Sequence, residues 1–375
     1  MEQYIFHGTQ KLRCGYTTGT CAAAAAGAAA RMLLLGKAVP DVTVRLPKGG
    51  TLTLPVTDVQ FDANAASCAV IKDSGDDPDV TNGVAVYARV THAAHGITIT
   101  GGEGIGRITQ PGLDQPVGAF AINSVPRRMI AASVEAAAEE LAAAGGFLVE
   151  IYVPGGKELA AKTYNPHLGI VDGISIIGTS GIVEPMSTAA LIDTIRTEAQ
   201  MRKAAGERIL LLTLGNYGEQ FLSRNLAALS GREVKCSNFL GDAIDIGVSL
   251  GFEGILIVGH IGKLVKLGSG IFNTHSAYAD GRMETLIACA ALAGVDSAVL
   301  CRLTDCVTVD AALDILLENG CMADTLHVLT ERIGQYLNKR VKSAVPIGAA
   351  LFSYQHDIWL ETEQAGSLLQ QLQEG

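Results

Sequence analysis

Residues 255–270 read ILIVGHIGKLVKLGSG. Five apolar or small residues in a row, closed by a glycine turn, describe a strand buried on both faces, and HIGKLVKLGSG then opens a helix. The same alternation extends on both sides. Upstream, the apolar strand RILLLTLG (208–215) precedes a helical stretch, EQFLSRNLAALSG (219–231). VKCSNFLG (234–241) reads as strand to loop and DAIDIGVSLG (242–251) as helix. Downstream, GRMETLIACAALAG (281–294) reads as helix and SAVLCRL (297–303) as strand. Continuous apolar strands alternating with helices predict a parallel sheet covered on both faces, so residues 201–320 are expected to form a Rossmann-like three-layer α/β domain. The tail, 321–375, is expected to add a helix around 322–338 and a hairpin, IGAALFSYQHDIWLE (347–361), packed on the body.

The first 200 residues carry a different rhythm. VTVRLP (42–47) and TLTLPV (51–56) alternate apolar and polar residues as strands do. VAVYARVT (84–91) and FLVEIYVP (147–154) read as strands, and VPRRMIAASVEAAAEELAAAGG (125–146) as a helix with proline in its first turn and a glycine stop. GITITGGEGIGRITQPG (96–112) reads as two short strands joined by a glycine-rich hairpin turn. Residues 1–200 are therefore expected to form an α+β domain with a mixed sheet and hairpins.

Composition narrows the function classes. A chain of 375 residues exceeds the roughly 250–300 at which one core stops growing. Its net charge is −10 and aromatic residues make up 5%, which speaks against a nucleic-acid binder. The longest uncharged run, 14–30, falls short of the ~20 apolar residues of a membrane span. No secretory signal is visible, and eight cysteines at 14, 21, 68, 236, 289, 301, 306 and 321 form no CxxC pair. The expectation is a cytoplasmic protein with reduced thiols, no membrane partner and no protein-bound metal; a homo-oligomer is left open.

Several stretches can carry chemistry. GYTTGT (15–20) lies directly before an alanine-rich helix, so Thr17, Thr18 and Thr20 either cap that helix or offer donors to an anion. GGEGIGR (101–107) lies between strands, so it fails the dinucleotide fingerprint, but Arg107 at its base is placed to meet an anion. Arg127 and Arg128 fall in the first turn of a helix, where positive charge opposes the dipole; they are either solvated or face a carboxylate-rich ligand. KDSGDDPDV (72–80) lacks the glutamate that closes an EF-hand loop, and Asp76 is the carboxylate singled out there for a proton transfer or a sulfonium charge. GNYGE (215–219) and GHIGK (259–263) follow strands at their carboxyl ends, where open parallel sheets bind ligands. Gly215, Asn216, Gly218, Gly259, His260 and Gly262 are the candidate cofactor loop residues there, with Glu219 or Asp242 as acceptors for ribose hydroxyls. His260 and His275 lack a third ligand at suitable spacing for a metal. GTSGIVEPMS (178–187) reads as a turn running into a capped helix start.

Taken together, LRCGYTTGTCAAAAAGAA, KDSGDDPDVTNG, GGEGIGRITQPGL, AINSVPRRMI, GTSGIVEPMS, LGNYGE, SNFLGDAID, VGHIGKLVKLGSGIFNTHS and ADGRMET resemble the cobalt-precorrin-5B C(1)-methyltransferases of anaerobic cobalamin biosynthesis. The likeness runs in order from about residue 10 to 305; Cys14 departs from it, where a small or hydroxyl residue, commonly threonine, is expected. The resemblance implies methyl transfer from S-adenosylmethionine to ring carbon C-1 of cobalt-precorrin-5B, giving cobalt-precorrin-6A, with cobalt present only in the substrate. It makes an anionic corrinoid the partner of Arg13, Thr20, Arg107, Arg127, Arg128, Lys263, Lys266 and His275, and gives Thr17, Thr18 and Asp76 catalytic places. Two rival classes stand beside it: a non-catalytic corrinoid carrier, and a nicotinamide-dependent corrinoid reductase, against which the missing strand–GxGxxG–helix unit counts.

Overall fold

The computed structural model describes residues 3–374, so Met1, Glu2 and Gly375 at the outer domain bounds lie outside it. The chain is a mixed α/β protein that divides into two compact units, 1–188 and 189–375.

In the first unit a five-stranded sheet has the order Thr57–Phe61, Ala65–Ile71, Ala85–Ala93, Gly146–Tyr152, Ile97–Gly101. Its pairs are antiparallel except the last, where Gly146–Tyr152 and Ile97–Gly101 run parallel. On one face lies the alanine helix, Thr18–Leu35, capped by Thr17 and stopped by Gly36 at φ 61°. By length and apolarity alone this helix would cross a bilayer, yet 83% of it is buried inside the unit. Its missing side chains are what allow that: a Cβ on Gly27 would stand 3.1 Å from Ser133, and one on Gly19 2.8 Å from Pro126. Ser133 and Pro126 belong to a second helix, Ser124–Glu140. Alanine and glycine thus let two helices and a sheet approach more closely than leucine-sized residues permit.

The glycine stretch at 101–107 is not a hairpin. Ile97–Gly101 ends in the five-stranded sheet, whereas Arg107–Ile108 pairs with Ile170–Val171 in a separate two-stranded sheet. The turn therefore crosses between sheets. Gly104 fits only because it has no Cβ, which would fall 1.9 Å from the Val153 carbonyl, and its φ is +70°.

In the second unit the sheet order is Val234–Lys235, Ile209–Thr213, Gly254–His260, Ile347–Ser353, Ile358–Glu361. The first four strands are parallel and the last is antiparallel. Leu222, Leu368 and Leu372 pack with Leu211, Leu256 and Phe352 in one cluster, while Ile244, Leu286, Leu329 and Ile333 pack with Leu210, Leu212, Ile255 and Ile257 in another. Both faces of the sheet are covered, as continuous apolar strands require. Two expectations differ from this arrangement. The tail is not an addition to the body, because Ile347–Ser353 is entirely buried and pairs directly with Gly254–His260. SAVLCRL is a helix, Ser297–Leu303: Asp296 accepts from Ala298 N and starts the turn, and only Leu303 is buried, too little for a central strand.

Candidate functional site

Five of the segments singled out from the sequence converge in the first unit, around the starts of its two long helices. The Thr17 hydroxyl accepts from Thr20 N at 3.2 Å, and the Thr20 hydroxyl donates to the Gly181 carbonyl at 2.7 Å. The Thr18 hydroxyl accepts from Ile177 N at 2.9 Å and lies 3.2 Å from the Ser175 carbonyl. Gly19 N donates to the Ile177 carbonyl at 2.9 Å. All three threonines are buried. Of the two readings of these threonines, the contacts match the capping one: the three hydroxyls tie the helix start to the 175–181 loop as well as capping it.

The acidic loop sits beside them. Arg13 makes a two-pronged pair with Asp73, at 2.5 and 2.8 Å, and this pairing, chiefly the hydrogen bonds from Arg13, holds the Asp73 carboxyl below its ordinary range. Arg13 is thereby engaged within the protein. Asp76 is exposed and accepts from Arg13 N at 2.6 Å. Lys72 is buried and bonded to the Ser74 hydroxyl at 2.5 Å and to Asp79 at 2.7 Å. Sequence reading passed over Lys72, because nothing local marks a lysine that will be buried with its acid seven residues on.

Arg127 and Arg128 have different fates. Arg127 Nε donates to the Ile122 carbonyl at 2.8 Å and Nη1 to the Ile99 carbonyl at 3.1 Å. Burial lowers its pKa, with the charge of Asp114 acting the other way. It joins sheet to helix, which argues against its use as a substrate clamp. Arg128 is exposed, with no ion pair among the described residues. The acid missing from this helix's first turn comes from Asp114, which accepts from Ser124 N and, at 2.9 Å, from the Ser124 hydroxyl. It lies ten residues upstream, outside any capping pattern.

Beside these helix starts, the glycine stretch lines a cleft of ≈ 670 Å³. Ile105, Ile108, Val117, Phe120 and Val171 form apolar walls, and Glu103, Arg107 and Asp172 supply charge. The Arg107 guanidinium lies over the Phe120 ring at 3.8 Å and donates from Nη1 to the Gly118 carbonyl at 3.0 Å.

In the second unit the carboxyl ends of three strands bring the two glycine loops together. Gly215, at φ +70°, has the Lys263 amine 4.0 Å from where a Cβ would stand. It opens the helix Gly215–Asn225, whose start has no side-chain cap. Gly218 has no room for a Cβ, which would lie 2.9 Å from Thr213. Lys263 donates to Asn238 at 3.3 Å, and Lys235 reaches Asn216 at 3.2 Å and Glu219 at 2.6 Å. Gly259 leaves only 3.1 Å between a Cβ and Leu264. His260 Nδ1 accepts from Gly262 N at 3.0 Å, and burial lowers the imidazole pKa, with Asp310 opposing. The His260 ring faces Tyr217 at 6.0 Å. Phe352 meets His260 edge-on at 5.5 Å and stacks on Phe221, which stacks on Trp359.

Three further candidates have other surroundings. Asp242 lines a small hollow of ≈ 270 Å³ with Arg196 and Asp245. His275 is on an exposed loop, where its Nδ1 accepts from Ala277 N at 3.1 Å. Lys266 is buried and donates to the Thr274 and Ala279 carbonyls at 3.1 and 2.8 Å. Lys235 and Asn238 are the additions that structure makes; their signal was VKCSN at a strand's carboxyl end.

Comparison with known proteins agrees with the extent of these motifs. The family model CbiD matches residues 5–185, and CbiD, C-terminal domain, matches 273–363. A cobalt-precorrin-5B C(1)-methyltransferase of Ruminiclostridium cellulolyticum is 42% identical over 99% of this chain and 98% of its own length. One of Alkaliphilus metalliredigens is 43% identical over 99% and 97%. A crystal structure of a cobalamin biosynthesis protein from Archaeoglobus fulgidus is 29% identical over 74% of this chain and 87% of its own, with a TM-score of 0.41. Matched along almost its whole length at 42–43% identity, the chain belongs to the CbiD family.

Proposed function

We propose that this chain is the enzyme that methylates ring carbon C-1 of cobalt-precorrin-5B to give cobalt-precorrin-6A, with S-adenosylmethionine as donor. The observation that carries the reading is the identity of 42–43%, over 99% of the chain, with relatives that bear that activity in their name. We place the enzyme in the cytoplasm, in keeping with eight cysteines that all remain free thiols.

The glycine loops of the second unit suit the donor. Gly215 leaves backbone bare at a strand's carboxyl end, while Gly218 lets the helix behind it pack on Thr213. Lys235, Lys263 and an uncapped helix start suit an amino-acid carboxylate, and the Tyr217 and His260 rings offer flat faces to a purine. Asn216 and Glu219, both bonded to Lys235, are the polar groups at hand for ribose hydroxyls; Asp242 is not among them. When bound, S-adenosylmethionine supplies an electrophilic sulfonium methyl. The residues of the chain orient both reactants and exclude water, an effect worth up to about 7–11 kcal/mol where alignment is good. In the first unit Arg107 and Arg128 are the candidate cations for corrinoid carboxylates, since Arg13 and Arg127 are engaged within the protein, as Lys266 is in the second. In the convergent region of the first unit, Thr17, Thr18 and Thr20 then act by holding loops in place. Asp76, exposed beside Arg13, is the carboxylate left to face solvent.

The test is an anaerobic incubation of the full chain with methyl-labelled S-adenosylmethionine and cobalt-precorrin-5B, read by mass spectrometry. Label at C-1 of the corrinoid is the expected result. Binding of both without transfer would make the chain a carrier, and in a parallel incubation with NADPH its consumption with a reduced corrinoid would make it a reductase.

A further inference from the structure

We propose that the glycine-floored cleft of the first unit is the seat of the corrin ring, with Arg107 as the clamp for one of its carboxylates; this rests on the corrinoid reading above. Three features of the cleft point to such a ligand.

The walls are apolar and uncovered. Val117 is 57% and Val171 43% exposed at the rim, above buried Ile105 and Ile108. Apolar side chains that line a cleft and face water are stabilised by a ligand with an apolar surface.

The floor is backbone. Gly102 and Gly104 line it, and a Cβ on Gly104 would fall 1.9 Å from the Val153 carbonyl. At these two positions the cleft carries no side chain that has to move aside for a ligand.

The cation is already positioned. Phe120 packs on Gly101, where a Cβ would stand 2.5 Å from its ring, and the Arg107 guanidinium is stacked on Phe120 in turn. One N–H goes to the Gly118 carbonyl. A guanidinium has five donors in a fixed plane, so a carboxylate meets an arginine that loses little freedom on pairing. Of the acids at the cleft, Asp172 pairs with Lys157 at 2.8 Å, and Glu103 is the other. An apolar face with peripheral carboxylates is the chemistry of a corrin acid. At ≈ 670 Å³ the volume lies among small-molecule sites rather than peptide grooves.

The experiment is a titration of the full chain with cobyrinic acid, and separately with its heptamethyl ester, by equilibrium dialysis read from corrin absorbance. The variants are Arg107→Ala, Arg107→Lys and Val117→Asp, the last at an exposed rim where folding is not at stake. Arg107→Ala and Val117→Asp are each expected to weaken cobyrinic acid binding about tenfold with unchanged urea midpoints, Arg107→Lys less. The ester should bind wild type and Arg107→Ala alike and should be weakened by Val117→Asp. Folded variants that bind and methylate as wild type does would overturn the seat and leave the methyltransferase standing. A wild type that binds neither cobyrinic acid nor its ester would overturn the seat, and one that binds but does not methylate would overturn the methyltransferase and leave the seat standing.

Discussion

Thr18 ties its helix start to a loop far away in the chain, its one hydroxyl accepting from Ile177 N and pointing its proton at the Ser175 carbonyl. Replacing it by valine keeps the shape and strands a backbone donor, so Thr18→Val should cost about 1–3 kcal/mol in urea unfolding while kcat per folded molecule holds. A variant as stable as wild type yet inactive would return this hydroxyl to the chemistry. The Lys72–Asp79 pair gives a pH-dependent counterpart. Burial alone would raise the Asp79 carboxyl, but the bonds from Lys72 and Thr81 outweigh it, and the net shift is downward. A carboxyl depressed on folding adds stability above its unfolded pKa, near 3.8, and loses it as pH falls through the folded value. Wild type should therefore lose urea stability steeply below about pH 4, and Asp79→Asn, less stable at neutral pH, should lose less over the same interval. At this scale the sequence shows which residues cap and which carry charge. It does not show that Arg13, Arg127 and Lys266 find acceptors inside the protein, because those partners come from elements that only the fold brings near.

The alanine helix is the element in which local preference and tertiary packing disagree most openly. Alanine suits a helix interior better than glycine by about 1 kcal/mol. Gly19→Ala should nevertheless destabilise, by about 1–3 kcal/mol in a thermal or urea melt, because its methyl would meet Pro126 at 2.8 Å and the Ile177 carbonyl at 3.0 Å. Gly27→Ala, against the single side chain of Ser133 at 3.1 Å, should come out milder. The helix itself was legible from its cap and its Gly36 stop. The error at SAVLCRL has the opposite origin: a short apolar run fits strand and helix equally, and Asp296 decides it only once its side chain is seen to cap. The glycine stretch at 101–107 was read correctly as two strands and a turn, but pairing is a long-range property, and the second strand went to Ile170–Val171.

At the scale of the molecule, the sheet of the second unit closes only when the tail contributes Ile347–Ser353. A fragment spanning 189–375 should fold cooperatively by circular dichroism and urea titration, whereas 189–320 should not, since it leaves one edge of Gly254–His260 and the core around Ile333 and Leu337 unfilled. The alternation of apolar strands and helices made this sheet legible as far as its third strand. The fourth was legible as one arm of a hairpin, but its place beside Gly254–His260 was not, because five helices intervene, Ile261–Leu264, Arg282–Leu292, Ser297–Leu303, Val309–Glu318 and Met322–Val341. The position of Trp359 in this unit has a practical use. It is the only tryptophan in the chain, and it lies 5.3 Å from Phe221, itself stacked on the Phe352 ring that touches His260. The protein thus carries its own optical gauge. Emission excited at the indole comes from the second unit alone, so a change on adding a ligand reports on the neighbourhood of the strand-end loops without a label.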